Sequence, residues 1–80
     1  MAEMRLSESR QGQQVKILRL LAGSVTKQRL LDLGFVRGTA LKIIRYAPLK
    51  DPMEIEIKGS HLSLRVEEAK TVVVEEKETS

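Results

Sequence analysis

Side chains that could perform acid–base or metal chemistry are few in this sequence. It has one histidine, His61, one tyrosine and no cysteine among its 80 residues. Ferrous sites gather several imidazole or carboxylate ligands, and His61 has no Asp, Glu or second His at a near ligand spacing. Glu54 and Glu56 on the preceding strand are better explained by cross-strand pairing with His61 or Arg65. We therefore expect no catalytic residue, no cofactor and no metal site.

Nucleic acid and membranes are not expected partners either. Proteins that bind single strands stack bases on aromatic side chains beside a basic groove, and this chain has only Phe35 and Tyr46. Duplex binding needs a helix or ribbon rich in basic residues, for which Lys27 and Arg29 are too few. No apolar run approaches the roughly 20 residues that span a bilayer, and the N-terminus lacks a signal segment. The sequence indicates a cytoplasmic domain without membrane insertion.

The charge is uneven along the chain and indicates a docking surface. Residues 27–50 hold six Lys or Arg and one acid, whereas residues 51–80 hold four Lys or Arg and eight acids. Strand alternation does not place Ile44, Tyr46 and Leu49 inside, and exposed apolar patches with a charged border often mark contact surfaces. We predict that a protein partner docks on the following residues: Lys27, Arg29, Arg45, Tyr46, Leu49 and Lys50. The alternative is that Ile44 and Tyr46 pack under the N-terminal segment.

One short helix must position part of this surface. Over about residues 25–33, leucines such as Leu30 recur on one face at helical spacing. Gly34 follows where a left-handed residue ends the helix, because glycine has no Cβ penalty in that conformation. Phe35 can then fold back onto Leu30. Ser24 is the predicted N-cap.

Most of the remaining chain has the pattern of short strands. Five segments are predicted strands: residues 14–21, 39–47, 53–58, 61–66 and 71–75. The first alternates imperfectly, so that either a bulge shifts its register or both of its faces are covered. Gly59-Ser60 is the predicted turn of a hairpin. The pattern predicts a mainly β protein, a small closed or nearly closed barrel with one inserted α-helix.

A single domain is expected over residues 1–80, with its core at about residues 4–75. The segment Met1–Gln13 is polar apart from Leu6, which predicts a flexible N-terminal arm in which Leu6 packs. The segment Glu76–Ser80 predicts a charged, frayed C-terminal tail.

Three motifs, in this order, resemble one known family. The stretch from Arg29 to Gly38 reads Arg-Leu-x-x-Leu-Gly-Phe-x-x-Gly. Ala47–Pro52 resembles the family's Ala-Pro-Leu-Gly-Asp-Pro turn, with Lys50 where the family usually has Gly. Gly59–Arg65, followed by Glu68-Ala69, resembles its last hairpin and final turn. Over about residues 4–75 the chain is similar to FeoA domains, small cytoplasmic partners of the bacterial ferrous-iron transporter FeoB.

This resemblance implies a fold and a pathway. FeoA domains are SH3-like β-barrels with one inserted helix, in agreement with the strand pattern. The implied function is an accessory role in ferrous iron uptake, in which the chain binds and modulates FeoB through its cytoplasmic GTP-binding domain. The family also implies a link to transition metal ions. A regulatory barrel of metal-dependent transcriptional repression, a weak iron carrier and weak self-association stay open as alternatives.

Overall fold

The computed structural model describes residues 3–77, which form six strands, two α-helices and one 3-10 helix. The strands are β1 (Glu3–Arg5), β2 (Gln14–Leu20), β3 (Ala40–Tyr46), β4 (Met53–Ile57), β5 (Ser60–Leu64) and β6 (Val72–Glu76). The helices are α1 (Ser24–Asp32), α2 (Val66–Ala69) and the 3-10 helix Leu6–Glu8. The outermost parts of the expected arm and tail, residues 1–2 and 78–80, lie outside the described residues.

All six strands belong to one antiparallel sheet in the order β1-β6-β2-β3-β4-β5. The predicted mainly β fold with one short inserted helix is confirmed, but there are six strands rather than about five and the sheet is not closed. Within residues 3–77, no pairing joins the edge strands β1 and β5. Arg29 of α1 lines a cleft with Ser63 of β5, and the Lys58 side chain lies 3.7 Å from where a Gly34 Cβ would stand. The C-terminal end of α1 therefore lies near the β4–β5 hairpin.

The N-terminal segment differs from the loose arm that its polar composition predicts. Glu3–Arg5 pairs with β6, and the Arg5 guanidinium donates to the Lys70 carbonyl at 2.7 Å. Arg19 forms an ion pair with Glu3 at 2.8 Å and holds the pKa of that exposed carboxyl below its usual value. Leu6 is fully buried, as expected. The segment is thus attached to the sheet at both its backbone and its side chains.

The end of α1 follows the predicted arrangement. Gly34 has a φ of +98°, and its N–H donates to the Leu31 carbonyl at 3.0 Å while the Phe35 N–H donates to the Leu30 carbonyl at 3.0 Å. This pair of bonds is the Schellman motif, in which an apolar contact spans the same turn. Leu30 and Phe35 are both fully buried. The helix is thereby fixed to the sheet at its C-terminal end.

Its beginning differs by one residue from the prediction. Gly23, not Ser24, is the N-cap, and no side-chain hydrogen bond caps the helix. The Gly23 backbone is extended and its carbonyl accepts the Lys27 N–H at 2.8 Å. Glycine is acceptable at this position, so Ser24 becomes the first helical residue.

Two β-bulges set which side chains face the core. In β2 the register shifts between Ile17 and Arg19, which confirms the bulge alternative for the imperfect alternation. A second register shift lies in β3, between Ile43 and Arg45. This bulge was not predicted from the sequence. Past this bulge Tyr46 pairs with the buried Met53 and packs against the core. An extra residue in one strand changes which side chains beyond it face the core and which face solvent.

The β4–β5 hairpin turns one residue earlier than predicted. Ile57 pairs with Ser60, so the loop is Lys58-Gly59 rather than Gly59-Ser60. Both loop residues have positive φ, 51° and 79°, as a two-residue type I′ turn requires.

Among the helices of the described chain, none is long and apolar enough to cross a bilayer.

Candidate partner-docking surface

The turn between β3 and β4 projects from one end of the sheet. Its backbone is closed by two hydrogen bonds, from the Lys50 N–H to the Ala47 carbonyl at 2.6 Å and from the Ala47 N–H to the Pro52 carbonyl at 2.9 Å. Leu49 at the tip is 90% exposed. Asp51 accepts a hydrogen bond from the Val66 N–H at 3.1 Å, which ties the turn to the start of α2.

An open cleft of about 660 Å³ lies on the α1 side of this turn. We call it the α1 cleft, and it is lined by Arg29, Leu49, Asp51, Pro52, Ser63, Arg65 and Glu68. Arg29 forms an ion pair with Glu68 across it. Two arginines and two acids line its walls, so its charges balance. The cleft brings the outer face of α1 and the tip of the turn together.

A second cleft, of about 690 Å³, lies on the other side of the turn. We call it the Tyr46 cleft, and it is lined by Ser7, Ser9, Arg10, Gln11, Tyr46, Ala47, Pro48, Lys50 and Val66. Its charged lining residues, Arg10 and Lys50, are both cations. Leu49 at the tip of the turn therefore stands between one neutral cleft and one basic cleft.

Tyr46 does not form the exposed apolar strip that the sequence pattern suggests. Its hydroxyl donates to the Ser9 carbonyl at 2.5 Å and lies 3.2 Å from the Ser7 carbonyl. Ile44 is also half-buried. The packing of Tyr46 under the N-terminal segment, which the sequence left as the alternative, is the arrangement in the structure. The β3 bulge is its physical cause, because it turns Tyr46 inward.

The six predicted docking residues are only partly brought together. Arg29 and Leu49 share the α1 cleft, while Tyr46 and Lys50 share the Tyr46 cleft. Arg45 lies on β3, where its guanidinium pairs with Glu54 at 2.9 Å. Lys27 is exposed on α1 and lines neither cleft. Their role in docking stays a prediction.

Sequence reasoning missed two cations that line these clefts. Arg65 could have been found, because it ends the hairpin motif Gly59–Arg65. Arg10 lies in a polar segment without periodicity, so no local signal indicates it. The neighbouring Ser9 carbonyl accepts the Tyr46 hydroxyl, a contact between residues distant in sequence.

Comparison with known protein families covers almost all of the described residues. Residues 4–76 match the family model of the FeoA domain. The chain belongs to the FeoA family. The resemblance carried by the three sequence motifs is therefore confirmed.

Similar proteins agree with this assignment. An Fe(2+) transport protein A/Fe(2+) transporter FeoB fusion protein of Porphyromonas gingivalis is 40% identical over 72 residues. The match covers 90% of this chain, which spans only 8% of the fusion protein's length. The solution structure of FeoA from Chlorobium tepidum is 41% identical, with a TM-score of 0.83, and the match covers 89% of this chain and 68% of that one.

A third relative supports the SH3-like fold. The crystal structure of Stenotrophomonas maltophilia FeoA complexed with zinc, described as a prokaryotic SH3 domain protein, has a TM-score of 0.80 and 29% identity. The match covers 90% of this chain and 89% of that one. The FeoA family is a transport-accessory family rather than an enzyme family.

Lys50, the departure from the motif that the sequence resembles, has a backbone conformation that suits glycine. Its φ is +68°, in the left-handed region that favours glycine. The departure from the family motif thus changes the side chain, which now lines the Tyr46 cleft, and leaves the turn closed.

The metal chemistry of this FeoA chain is sparse in the described residues. Nowhere in residues 3–77 do three or more His, Cys, Asp or Glu side chains gather as they would around a metal ion. His61 Nε2 lies 3.9 Å from Glu56 Oε2, with both side chains largely exposed. Two ligands are fewer than a structural zinc site uses. The absence of a high-affinity metal site stays a prediction.

Replacing Tyr46 by Phe is expected to lower the free energy of unfolding by about 1 kcal/mol, because the Ser9 carbonyl loses its donor. Burial raises the pKa of the Tyr46 hydroxyl above its ordinary value. Because the pKa is raised in the folded state, the hydroxyl contributes its full stabilisation below about pH 10, the pKa of tyrosine in the unfolded chain. The stabilisation is lost as the pH rises through the folded-state pKa. Urea unfolding at neutral and alkaline pH measures both effects.

Tyr46 is the single tyrosine of the chain, so Tyr46→Phe has no tyrosine left to titrate and serves as the control for the alkaline measurement. The wild type should lose more stability than Tyr46→Phe as the pH rises above about 10. Identical stabilities at neutral pH and identical alkaline profiles would show that the hydroxyl holds nothing in place.

Proposed function

We propose that this chain is a cytoplasmic, non-catalytic accessory protein of ferrous iron uptake that binds FeoB and modulates its transport. The observation that carries the proposal is the Porphyromonas gingivalis relative, in which Fe(2+) transport protein A and the transporter FeoB form one polypeptide. A fusion keeps two domains at high effective concentration, which favours a function that needs their contact. We assign the contact to the cytoplasmic GTP-binding domain of FeoB.

The docking surface we propose is the β3–β4 turn with the clefts on its two sides. Leu49 supplies exposed apolar area at the tip. Lys50 beside it and Lys27 on α1 are exposed cations without an ion pair in the described chain, while Arg29 and Arg45 are paired with Glu68 and Glu54. Charges at the border of an interface mainly speed association, while a central apolar contact slows dissociation. An acidic partner surface with an apolar recess is the complementary shape.

The test is association with the purified cytoplasmic domain of FeoB, measured by biolayer interferometry with and without a guanine nucleotide. Reversal of Lys27, Arg29 and Lys50 to Glu should slow association about tenfold at low salt, with a smaller effect at high salt because salt screens exposed charges. Leu49→Ala should instead speed dissociation. The matched control is reversal of Glu75, Glu76 and Glu78 to Lys, which should change little; Glu78 lies outside the described residues.

Two variants in this set need a folding control. Glu75 pairs with Lys16 at 3.6 Å, so reversal of Glu76 and Glu78 alone keeps that pair in the tail control. Arg29 pairs with Glu68, so Arg29→Glu brings two negative charges together. The double reversal of Lys27 and Lys50 leaves that pair intact and should keep most of the slowing. Absence of any association by the wild type contradicts the proposed function. Loss of association by the tail reversal, with the basic reversal unchanged, places the surface elsewhere.

A further inference from the structure

The Tyr46 cleft holds two cations that nothing on the described chain neutralises. Arg10 comes from the N-terminal segment and Lys50 from the β3–β4 turn, and both line the cleft. Neither takes part in an ion pair within residues 3–77. No Asp or Glu lines this cleft, in contrast to the α1 cleft with its two acids. Two cations that share a recess without an acid attract a negatively charged group.

A buried hydroxyl in the wall of the cleft also lacks a partner. Ser9 is 4% exposed, and its Oγ forms no hydrogen bond to any described residue. Its carbonyl is already taken by the Tyr46 hydroxyl. Buried polar atoms are nearly always hydrogen-bonded, so an exception calls for an explanation. The Oγ itself is closed off from solvent, so it can donate to a negatively charged acceptor only when the wall beside it opens on binding.

One of the two cations, Lys50, has a backbone conformation that favours glycine. A φ of +68° is unfavourable for a residue with a Cβ. Glycine would relieve that conformation but would remove the charge. The lysine is thus disfavoured by its own backbone, and its side chain forms no ion pair that could offset this.

The remaining walls distinguish between kinds of anion. Pro48 and Val66 give the cleft apolar surface beside its cations. The Val66 N–H, which begins α2, already donates to Asp51, so this backbone donor is not free for a phosphate. A mixed recess of this kind fits a carboxylate carried on a chain with apolar neighbours, as in an extended protein segment.

We propose that the Tyr46 cleft binds the carboxylate of an acidic residue in an extended segment of the protein partner. Arg10 and Lys50 neutralise the carboxylate, and Pro48 and Val66 contact an apolar neighbour of the acidic residue. The buried Ser9 hydroxyl donates to the carboxylate once the wall beside it opens. The inference rests on the proposed function for the identity of the partner. The chemistry of the cleft does not depend on it.

The test uses a peptide in place of the partner. Acetyl-Leu-Glu-Leu-amide is titrated into ¹⁵N-labelled protein, and acetyl-Leu-Gln-Leu-amide serves as its uncharged match. The Glu peptide should shift the amides of residues 7–11 and 47–50 and bind about tenfold more tightly than the Gln peptide, because hydrogen bonds to charged groups are the stronger kind.

Two lysines of this chain provide a matched pair of variants. Lys50 and Lys58 both have positive φ, and only Lys50 lines the Tyr46 cleft. Asparagine tolerates that conformation, so Lys50→Asn and Lys58→Asn make the same change of charge on similar backbones. Lys50→Asn should weaken binding of the Glu peptide about tenfold, and Lys58→Asn should leave it within about twofold.

Ser9→Ala separates a ligand contact from a structural one. Removing a buried hydroxyl that has no partner should leave the melting temperature unchanged or raise it. The same change should weaken Glu-peptide binding several-fold. A melting temperature that falls, with binding unchanged, would show that the hydroxyl serves the fold and would overturn its part in the proposal.

Three results would overturn the inference. They are equal binding of the Glu and Gln peptides, equal effects of Lys50→Asn and Lys58→Asn, and displacement of the peptide by inorganic phosphate that binds more tightly. Other results distinguish a failure of the proposed function from a failure of this inference. Peptide binding without association to the FeoB cytoplasmic domain contradicts the proposed function alone. Association that survives while the wild type shows no peptide binding contradicts this inference alone.

Discussion

Leu30→Ala is expected to cost about 2–5 kcal/mol of the free energy of unfolding, the range for truncation of a buried leucine. Leu30 is 0% exposed and is the residue of α1 that reaches the core. Small domains are held together by about 5–15 kcal/mol. The loss is therefore a large fraction of the total stability and should lower the melting temperature strongly.

The matched control for this variant is Leu49→Ala. Leu49 is 90% exposed, so the same change of side chain should alter stability by no more than about 0.5 kcal/mol. Leu33 is half-buried against the core, and Leu33→Ala should fall between the two. Thermal melts and urea unfolding rank the three variants. Equal melting temperatures for Leu30→Ala and Leu49→Ala would mean that α1 does not pack as described.

The parts of the fold that sequence could predict depend on local signals. Gly34 followed by Phe35 ends a helix through bonds that span five residues, so both the stop and the buried face could be read from neighbours in sequence. The clean alternation of β4 did the same for Met53, Ile55 and Ile57, all of which are buried. Where the determining contacts are close in sequence, composition and spacing contain the information.

The first strand could not be predicted, because its partner is distant in sequence. Glu3–Arg5 has no strand propensity of its own and pairs with β6 at Val73, Val74 and Glu75. This short segment becomes a strand because the backbone edge of β6 is available to it and because Met4 packs against the core. Such pairing is a property of the assembled sheet, which a local pattern cannot show.

A single inserted residue in β3 explains why the candidate site was only partly predicted. Ile44 at the β3 bulge reverses the parity of the residues after it, so Tyr46 contacts the N-terminal segment instead of solvent. Bulges have weak sequence signals, since the same residues fit a regular strand with both faces covered. Exposure of charged residues is easier to predict than strand parity, and Arg29 and Lys50 are both exposed; their role in docking stays a prediction.

Gly34→Val is expected to be the second strongly destabilising change, at roughly 1–3 kcal/mol, the cost of holding a residue with a Cβ in an unfavourable backbone region. Gly34 has a φ of +98°, and β-branched residues are rarely found at positive φ. A Cβ itself finds room, since the closest atom to it would be the Lys58 side chain at 3.7 Å. We therefore assign the penalty to the backbone conformation.

A graded series at this one position tests that explanation. Asparagine visits the left-handed region most readily among residues with a Cβ, alanine less so and valine least. Stability should therefore fall in the order Gly, Asn, Ala, Val, as measured by urea unfolding. If steric contact with Lys58 were the cause, Lys58→Ala would rescue Gly34→Val; if the φ angle is the cause, it will not. Rescue by that second change, or a Val variant as stable as the Asn variant, would contradict the assigned role of Gly34 in ending α1.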